Sequence, residues 1–342
     1  MSSENINKPK FKFKEYISEK ADCIGGSYQF DCYKHKNGEV ILIMSYFDID
    51  HILENIHDIL LITLNDNKVI KKLKGHNDRI ISVRYFQEPN SKKDYLISAD
   101  RSQIVIVWCL NDFCKIFETK MNYDSLISSN LLIFDSNNIY AVISTLGEGS
   151  TKIFNLKDKS KFIDINNTNN LSVYYLTYWY NKKSNQHIII QCGKMLILMT
   201  EFPNNKIYDT LNSDENYPYN YSGLVFTNEE RDLLAVSVII GLITIYNLEQ
   251  KKIMLKIIIK NAFLYNFIKW NDNYLFVLDS SKKKIINFNI KDNEFRQEDD
   301  IQLPELNYDK FIKRVNHPIY GESLVTIGID LKLKLFVIQK DN

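Results

Sequence analysis

Histidines, cysteines and paired carboxylates are the side chains of this 342-residue chain that could bind a metal or carry out catalysis. A structural zinc site needs four converging ligands, usually supplied as closely spaced pairs. The densest group of candidate ligands lies near the start of the chain. Its irregular spacing favours free thiols and structural histidines over a metal site. The group consists of Cys23, Cys32, His35 and either His51 or His57.

Sequence patterns of known catalytic sites are also absent. The chain contains no Gly-x-Ser-x-Gly, no His-Glu-x-x-His and no Gly-x-x-x-x-Gly-Lys-Ser/Thr pattern. Gly147 and Gly149 form too short a pair to hold a phosphate group. The adjacent acids Glu229 and Glu230 fall in a polar turn, where charge is ordinarily solvated. We therefore predict that the protein is not an enzyme, uses no cofactor and takes no small-molecule substrate.

The clearest structural unit in the sequence is the stretch 74–118. It contains four short runs rich in β-forming residues, and Pro, Asn, Asp and Ser separate them. This pattern predicts a four-stranded antiparallel meander, which cannot bury both of its faces alone and therefore needs neighbours. The four runs are Ile80–Phe86, Tyr95–Ser98, Ile104–Trp108 and Lys115–Glu118.

Weaker copies of this unit recur along the whole chain. Each copy places one large apolar residue near the end of its third strand, at intervals of 42 to 48 residues. A strand-rich repeat of this period is typical of propeller blades, and the helical repeats of similar length need a different apolar spacing. The seven recurring residues are Leu64, Trp108, Phe154, Met199, Tyr246, Phe288 and Phe336.

The period predicts an all-β fold, a seven-bladed β-propeller of four-stranded antiparallel blades, within a single domain over residues 1–342. The seventh blade has sequence for only three strands. The alternating segment 10–17 (KFKFKEYI) is expected to supply its fourth strand and so to close the ring. The predicted blades, numbered 1 to 7, span 28–72, 74–118, 125–165, 171–211, 220–260, 263–303 and 310–338 with 10–17.

The stretch 74–118 resembles a WD repeat. Gly75 and His76 stand where that family has its Gly-His pair, and Trp108 follows 32 residues after His76. The segment 96–99 (LISA) is similar to the family's second strand. The resemblance implies a β-propeller, usually of seven blades, that is closed by pairing of the two chain ends.

Two departures from the WD pattern affect the interior of this blade. Cys109 replaces the Asp that follows the Trp, and Ser102 stands at the turn position that usually holds an Asp. The family's buried set of His, Ser, Asp and Trp is therefore expected to be incomplete here. We predict that His76, Ser98 and Trp108 have a structural role and form the remaining part of that set.

The resemblance also implies a binding face, called the top. This face is formed by the loops before each first strand and by the loops between second and third strands. The tyrosines of the 212–221 loop are equally suited to packing that loop onto the ring. An insertion at 47–57 is expected to contain a helical turn and to rise beside blade 2. The residues that this strand map assigns to partner binding are Arg79, Arg101, His51, Tyr217, Tyr219 and Tyr221.

Charge, hydropathy and cysteine content argue against several other classes of protein, namely nucleic-acid-binding, membrane-spanning and secreted proteins. The 43 basic and 42 acidic residues give a net charge of +1, so direct binding of nucleic acid is not expected. The longest apolar stretch, 188–199, is too short and too polar to span a bilayer. The polar N-terminus lacks the apolar core of a secretory signal. Five cysteines without regular spacing indicate reduced thiols and a cytoplasmic location, with the nucleus as the alternative.

These observations favour a non-catalytic interaction scaffold that binds peptides or partner proteins through its top face. One alternative is a propeller that binds phosphoinositides or a membrane surface through lysine-rich turns such as 282–284, although the Phe-Arg-Arg-Gly motif of such propellers is missing. A second alternative is a subunit of an RNA-processing or ribosome-assembly complex. Fold alone does not separate these functions.

Overall fold

Alternating apolar runs, bounded by turns rich in Asn, Asp and Lys, form 29 β-strands in the residues that the computed structural model describes. Within the described part of the chain these strands make seven antiparallel sheets, each with four or more strands, as the sequence period predicted. The structure describes residues 12–20, 30–45, 57–66, 68–121, 127–135, 138–146, 150–158, 162–165, 172–194, 196–212, 220–238, 240–291, 295–303, 306, 312–327 and 332–339.

Blades 1 to 4 are simple meanders in which strands follow one another in sequence order. Blade 1 contains β2 (Phe30–Lys34), β3 (Val40–Ser45), β4 (Ile59–Thr63) and β5 (Val69–Leu73). Blade 2 contains β6 (Ile80–Gln87), β7 (Asp94–Asp100), β8 (Ile104–Cys109) and β9 (Cys114–Lys120). Blade 3 contains β10 (Ile127–Asp135), β11 (Asn138–Thr145), β12 (Thr151–Asn155) and β13 (Phe162–Ile165). Blade 4 contains β14 (Val173–Asn181), β15 (Gln186–Gly193), β16 (Leu196–Phe202) and β17 (Lys206–Asn212).

The remaining blades follow the same plan, with one interruption in blade 6. Blade 5 contains β18 (Asn220–Asn228), β19 (Arg231–Val238), β20 (Leu242–Asn247) and β21 (Lys252–Ile258). Blade 6 contains β22 (Leu264–Lys269), β23 (Tyr274–Asp279), β24 (Lys284–Asn289) and an outer strand in two pieces, β25 (Arg296–Gln297) and β26 (Ile301–Gln302). Blade 7 contains β27 (Ile312–His317), β28 (Gly321–Ile327), β29 (Lys332–Gln339) and β1 (Lys12–Lys20).

The two ends of the chain meet in blade 7, which confirms the predicted closure. Strand β1 pairs antiparallel with β29, from Lys12 opposite Gln339 to Lys20 opposite Lys332, with one bulge between Glu15 and Ile17. The strand runs to residue 20, three residues beyond the predicted segment. Without β1, the backbone groups of β29 would form an open sheet edge.

The hydrophobic core lies between neighbouring blades. One cluster packs Ile43 and Leu61 of blade 1 against Leu96, Ile106 and Trp108 of blade 2. Another joins blade 7 to blade 1 and so makes the apolar core continuous across the point of closure. All seven recurring large residues predicted from the sequence period are buried. Each blade therefore depends on the next one for burial of its faces.

Two predicted features of blades 1 and 3 lie outside the described residues. The helical turn expected at 47–57 falls almost wholly in the segment 46–56, and only its last residue, His57, is described. The turn at 147–149 is likewise outside.

Candidate functional site

A buried chain of hydrogen bonds crosses the interior of blade 2. The Trp108 indole Nε1–H donates to Ser98 Oγ over 2.9 Å, and Ser98 Oγ lies 2.8 Å from His76 Nε2. On the other side of the ring, His76 Nδ1 lies 2.9 Å from Asp100 Oδ2. Because an ionised carboxylate can only accept hydrogen bonds, Nδ1 is the His76 nitrogen that donates to Asp100.

The expectation that this set lacks its carboxylate is wrong, because Asp100 supplies it. Ser102, which stands at the position searched for an Asp, instead donates its hydroxyl to Asp100 Oδ1 over 2.8 Å. The backbone N–H of Ile104 donates to the same oxygen over 2.9 Å. Burial by itself raises the pKa of the Asp100 carboxyl, but the hydrogen bonds from His76, Ile104 and Ser102 outweigh it and hold that pKa below its usual value.

The glycine before His76 packs closely against side chains of the third strand of its blade. A Cβ at Gly75 would lie 3.2 Å from Cη2 of the Trp108 ring and 3.3 Å from the Ile106 side chain. These separations are tighter than ordinary contacts, so with a larger residue here the Trp108 and Ile106 side chains would have to shift by a few tenths of an ångström. The Gly-His pair therefore fixes the loop before β6 to the third strand of its own blade.

This network holds two loops of blade 2 side by side on one face. The backbone N–H of Arg101, in the loop after β7, donates to the carbonyl of Arg79 over 3.0 Å. Arg101 is exposed and Arg79 is partly exposed. The structure thus brings together the two arginines that the sequence assigned to the top face, and their role in binding stays a prediction.

The other predicted binding residues are not brought to this arginine pair by the described part of the chain. His51, Tyr217 and Tyr219 lie outside the described residues. Tyr221 belongs to strand β18, between Asn220 and Ser222, where a bulge interrupts pairing with β19.

A second polar cluster, which sequence reasoning missed, lies among the first strands that surround the ring axis. Arg84 of blade 2 donates through Nη1 to the carbonyl of Asn130 over 2.7 Å and to the carbonyl of Leu176 over 3.1 Å. Its guanidinium lies 5.4 Å from the Phe86 ring and 5.3 Å from the Tyr175 ring. One side chain therefore links blades 2, 3 and 4 at the axis.

An ion pair continues this cluster between blades 7 and 1. Lys313 Nζ lies 3.1 Å from Asp31 Oδ1, and Asp31 also accepts the backbone N–H groups of Cys32 and Tyr85, each over 2.9 Å. Burial would lower the pKa of the Lys313 ammonium, but the charge and hydrogen bond of Asp31, together with the nearby Cys32 and Tyr175 groups, outweigh it and raise that pKa. Because these charged groups already have ion-pair or hydrogen-bond partners in neighbouring blades, we infer that they stabilise the ring.

Nucleophilic and metal chemistry finds little support in the described residues. Burial raises the pKa of both the Cys32 and the Cys192 thiols to about 12, so neither is a thiolate near neutral pH. No group of three or more His, Cys, Asp and Glu within the described ranges is arranged to hold a metal ion. Cys23 and His51, two of the ligands considered from the sequence, lie outside those ranges. In the same part of the chain, no helix has the length and apolar character needed to cross a membrane.

Comparison with known proteins identifies the fold and no more. No family model and no curated protein matches this sequence. Among solved structures, the chain is similar to BBS1N in crystals of its complex with ARL6DN soaked with lead, with 9% identity and a TM-score of 0.68 over 96% of this chain and 98% of that one. The crystals of the same complex soaked with mercury give 10% identity and a TM-score of 0.68, over 97% and 98% of the two chains. At this identity the likeness is one of architecture.

Proposed function

We propose that this chain is a non-catalytic interaction scaffold: a single WD-repeat-like propeller domain over residues 1–342 that binds a partner protein through its top face at blade 2. The observation that carries the proposal is the hydrogen bond between the backbones of Arg101 and Arg79. It places two arginines from separate loops next to each other, and arginine is one of the residue types that most often dominates binding energy at interfaces.

Rigid support beneath these loops strengthens the proposal. Asp100 is enclosed by four described donors, His76, Asn77, Ser102 and Ile104, and it ties the loop before β6 to the loop after β7. A preorganised surface loses little conformational entropy when a partner binds. BBS1N, whose fold is similar, was crystallised in complex with a protein, ARL6DN, which supports a propeller of the interaction type.

The reduced state of the described cysteines agrees with a cytoplasmic or nuclear location for this scaffold. Cys32, Cys109, Cys114 and Cys192 are all free thiols. A reducing compartment keeps such thiols unpaired.

Affinity purification with paired surface variants tests this proposal. The top-face variant is Arg79→Gln with Arg101→Gln. The matched control is Lys92→Gln with Lys93→Gln, which removes the same charge from the opposite end of the same blade, in the turn between β6 and β7. We expect a stoichiometric partner with the wild type and with the control, and its loss from the top-face variant. A partner held equally by all three proteins, or no stoichiometric partner at all, would contradict the proposal.

A further inference from the structure

Two of the free cysteines stand directly opposite each other in the outer hairpin of blade 2. Cys109 ends β8, Cys114 begins β9, and the two residues pair across the antiparallel strands. Opposed residues of antiparallel strands have Cα atoms about 4.5 to 5.5 Å apart, which lies within the range of about 4.4 to 6.8 Å that a disulfide spans. The backbone therefore holds these two cysteines at the separation that a disulfide bond needs.

Both cysteine side chains lie on the face of the hairpin that is turned towards blade 3. Cys109 packs in the cluster between blades 2 and 3, and a directly opposed residue lies on the same face of the sheet. The next pair, Trp108 opposite Lys115, lies on the other face, since Trp108 packs between blades 1 and 2. The register irregularity of this hairpin falls between Val107 and Trp108, so it does not separate the two cysteines.

Hydrogen bonds hold the loop 110–113 that joins the two cysteines. The backbone N–H of Leu110 donates to the carbonyl of Asp94 over 2.8 Å, and Asn111 Oδ1 accepts the Asp94 N–H, also over 2.8 Å. Phe113 has φ +51, the left-handed conformation that turns the chain back into β9. Because Asp94 begins β7, the second strand of the blade fixes the start of the loop and so supports the register of the hairpin.

The surroundings of the two thiols differ, and this difference sets the order in which they react. Cys114 is exposed, so a dissolved oxidant reaches its sulfur from the solvent. Cys109 is only 7% exposed, and its S–H donates to Asp112 Oδ2 over 3.6 Å. Burial is the main cause that raises the pKa of the Cys109 thiol. Cys109 is therefore shielded from direct oxidation, while it stays opposite the thiol that is not.

The other described cysteines do not form such a pair. Cys32 lies opposite Leu42 in blade 1, and Cys192 lies opposite Ile197 in blade 4. Among the cysteines that the structure describes, only Cys109 and Cys114 are joined directly across a sheet.

We propose that Cys109 and Cys114 form a redox-sensitive modification site, at which hydrogen peroxide converts the two thiols into a cross-strand disulfide. The Cys114 thiolate attacks one peroxide oxygen and the O–O bond breaks. Cys114 becomes a sulfenic acid, and the released hydroxide takes up a proton and leaves as water. The Cys109 sulfur then attacks the Cys114 sulfur, the S–O bond breaks, and a second water leaves with the proton of Cys109. The two sulfurs lose two electrons, and the peroxide is reduced to two molecules of water.

This site is separate from the surface assigned to partner binding. The turn between β8 and β9 lies at the end of blade 2 opposite to Arg79 and Arg101, so the inference does not rest on the proposed function. In a reducing compartment the site rests as two thiols, and the disulfide forms when peroxide is present.

Mass spectrometry of the full chain after treatment with hydrogen peroxide tests the inference. Trypsin cuts after Arg101 and Lys115, so the peptide 102–115 (SQIVIVWCLNDFCK) contains both cysteines and no other. The reduced protein is treated briefly with peroxide, and the remaining thiols are then alkylated. We expect this peptide to lose both alkyl groups together and to weigh two hydrogen atoms less than the free dithiol peptide. Dithiothreitol should restore alkylation of both cysteines.

The matched control moves one thiol to the other face of the hairpin. Cys114→Ser with Lys115→Cys keeps the number of cysteines but places the second thiol opposite Trp108, on the face turned towards blade 1. We expect no internal disulfide in this variant at the peroxide concentration that oxidises the wild type, and urea unfolding should show that it folds. In Cys109→Ser the second step is blocked, so dimedone should trap Cys114 as the sulfenic acid.

Three outcomes would overturn the inference. In the first, both thiols of the peptide 102–115 stay alkylated after peroxide treatment. In the second, Cys114 alone is oxidised in the wild type, to a sulfinic acid or to a disulfide between two copies of the chain, while Cys109 stays alkylated. In the third, the control variant forms the internal disulfide as readily as the wild type does.

Discussion

His76 and Asp100 face each other in the interior of blade 2, with 2.9 Å between Nδ1 and Oδ2, and both side chains are fully enclosed. Their positions join the loop before β6 to the end of β7. The top-face loops that carry Arg79 and Arg101 are therefore anchored from beneath by a buried polar pair. Removing one partner would leave the other buried without its hydrogen bond.

Replacing Asp100 by Asn should destabilise the protein by about 3 kcal/mol at neutral pH, because the charged acceptor of His76 is lost. The pKa of Asp100 is lower in the folded state than its ordinary value, so the carboxylate stabilises the fold above about pH 4 and ceases to do so as the pH falls further. The difference in unfolding free energy between the wild type and the Asp100→Asn variant should therefore become smaller at acidic pH. Urea unfolding at neutral and acidic pH measures both effects. The exposed Asp299→Asn serves as control and should show neither.

Deleting residues 1–20 removes β1 and should lower the melting temperature by about 10 °C. The deletion breaks eight residue pairs with β29 and exposes that strand as an edge, so we also expect self-association on size-exclusion chromatography. A shorter deletion of residues 1–9 leaves β1 intact and provides the comparison. If both proteins melt as the full chain does, β1 does not hold the ring closed.

Changing Gly241 to Ala should cost about 3 kcal/mol, because the new methyl group meets the carbonyl of Ile259 at a backbone conformation that disfavours side chains. Gly38→Ala is a matched control. Gly38 also has a positive φ, +91, but its Cβ would meet no atom within 4 Å, so only the backbone term of about 1 kcal/mol remains. Chemical denaturation measures the loss of unfolding free energy in each variant, and the difference between the two losses gives the cost of the clash. Equal losses would argue against a clash at Gly241.

Replacing Arg84 by Gln should destabilise the ring by about 2 kcal/mol, because two carbonyls of blades 3 and 4 lose a charged donor. Arg84→Lys should recover only part of this loss, since an ammonium lacks the planar group that lies near the Phe86 and Tyr175 rings. Lys115→Gln breaks an exposed ion pair with Glu118 and is expected to cost less than about 1 kcal/mol. Similar unfolding free energies for Arg84→Gln and Lys115→Gln would count against a linking role for Arg84.

The architecture could be predicted from sequence because its signals are local and repeated. The alternation of apolar residues marks the strands, and the seven large residues from Leu64 to Phe336 mark the blades. Even the closure by β1 followed from a simple count, since the last blade had sequence for three strands only. The boundaries of β1 were less accurate because strand ends depend on the partner strand.

The candidate site was predicted only in part. Arg79 and Arg101 were assigned to one face from strand order, and the hydrogen bond between their backbones agrees with that assignment. Asp100 was missed because the search relied on a fixed distance from Trp108, whereas the turn after β7 sets which residue points inward. The exposure of Ile258 and Phe263 gave no sequence signal, since isoleucine and phenylalanine in β-rich segments ordinarily indicate core.

The sequence by itself determined the number of blades, their order and the residues that fill the core between them, because strand periodicity is a property of neighbouring residues. Only the tertiary structure decided which polar groups meet. His76 lies 24 residues before Asp100, and Arg84 reaches carbonyls 46 and 92 residues further along the chain. The pairing of β6 with β7 inside blade 2 brings His76 to Asp100. The partners of Arg84 are set by the closing of the ring, which brings first strands from different blades together, and no local pattern records that approach.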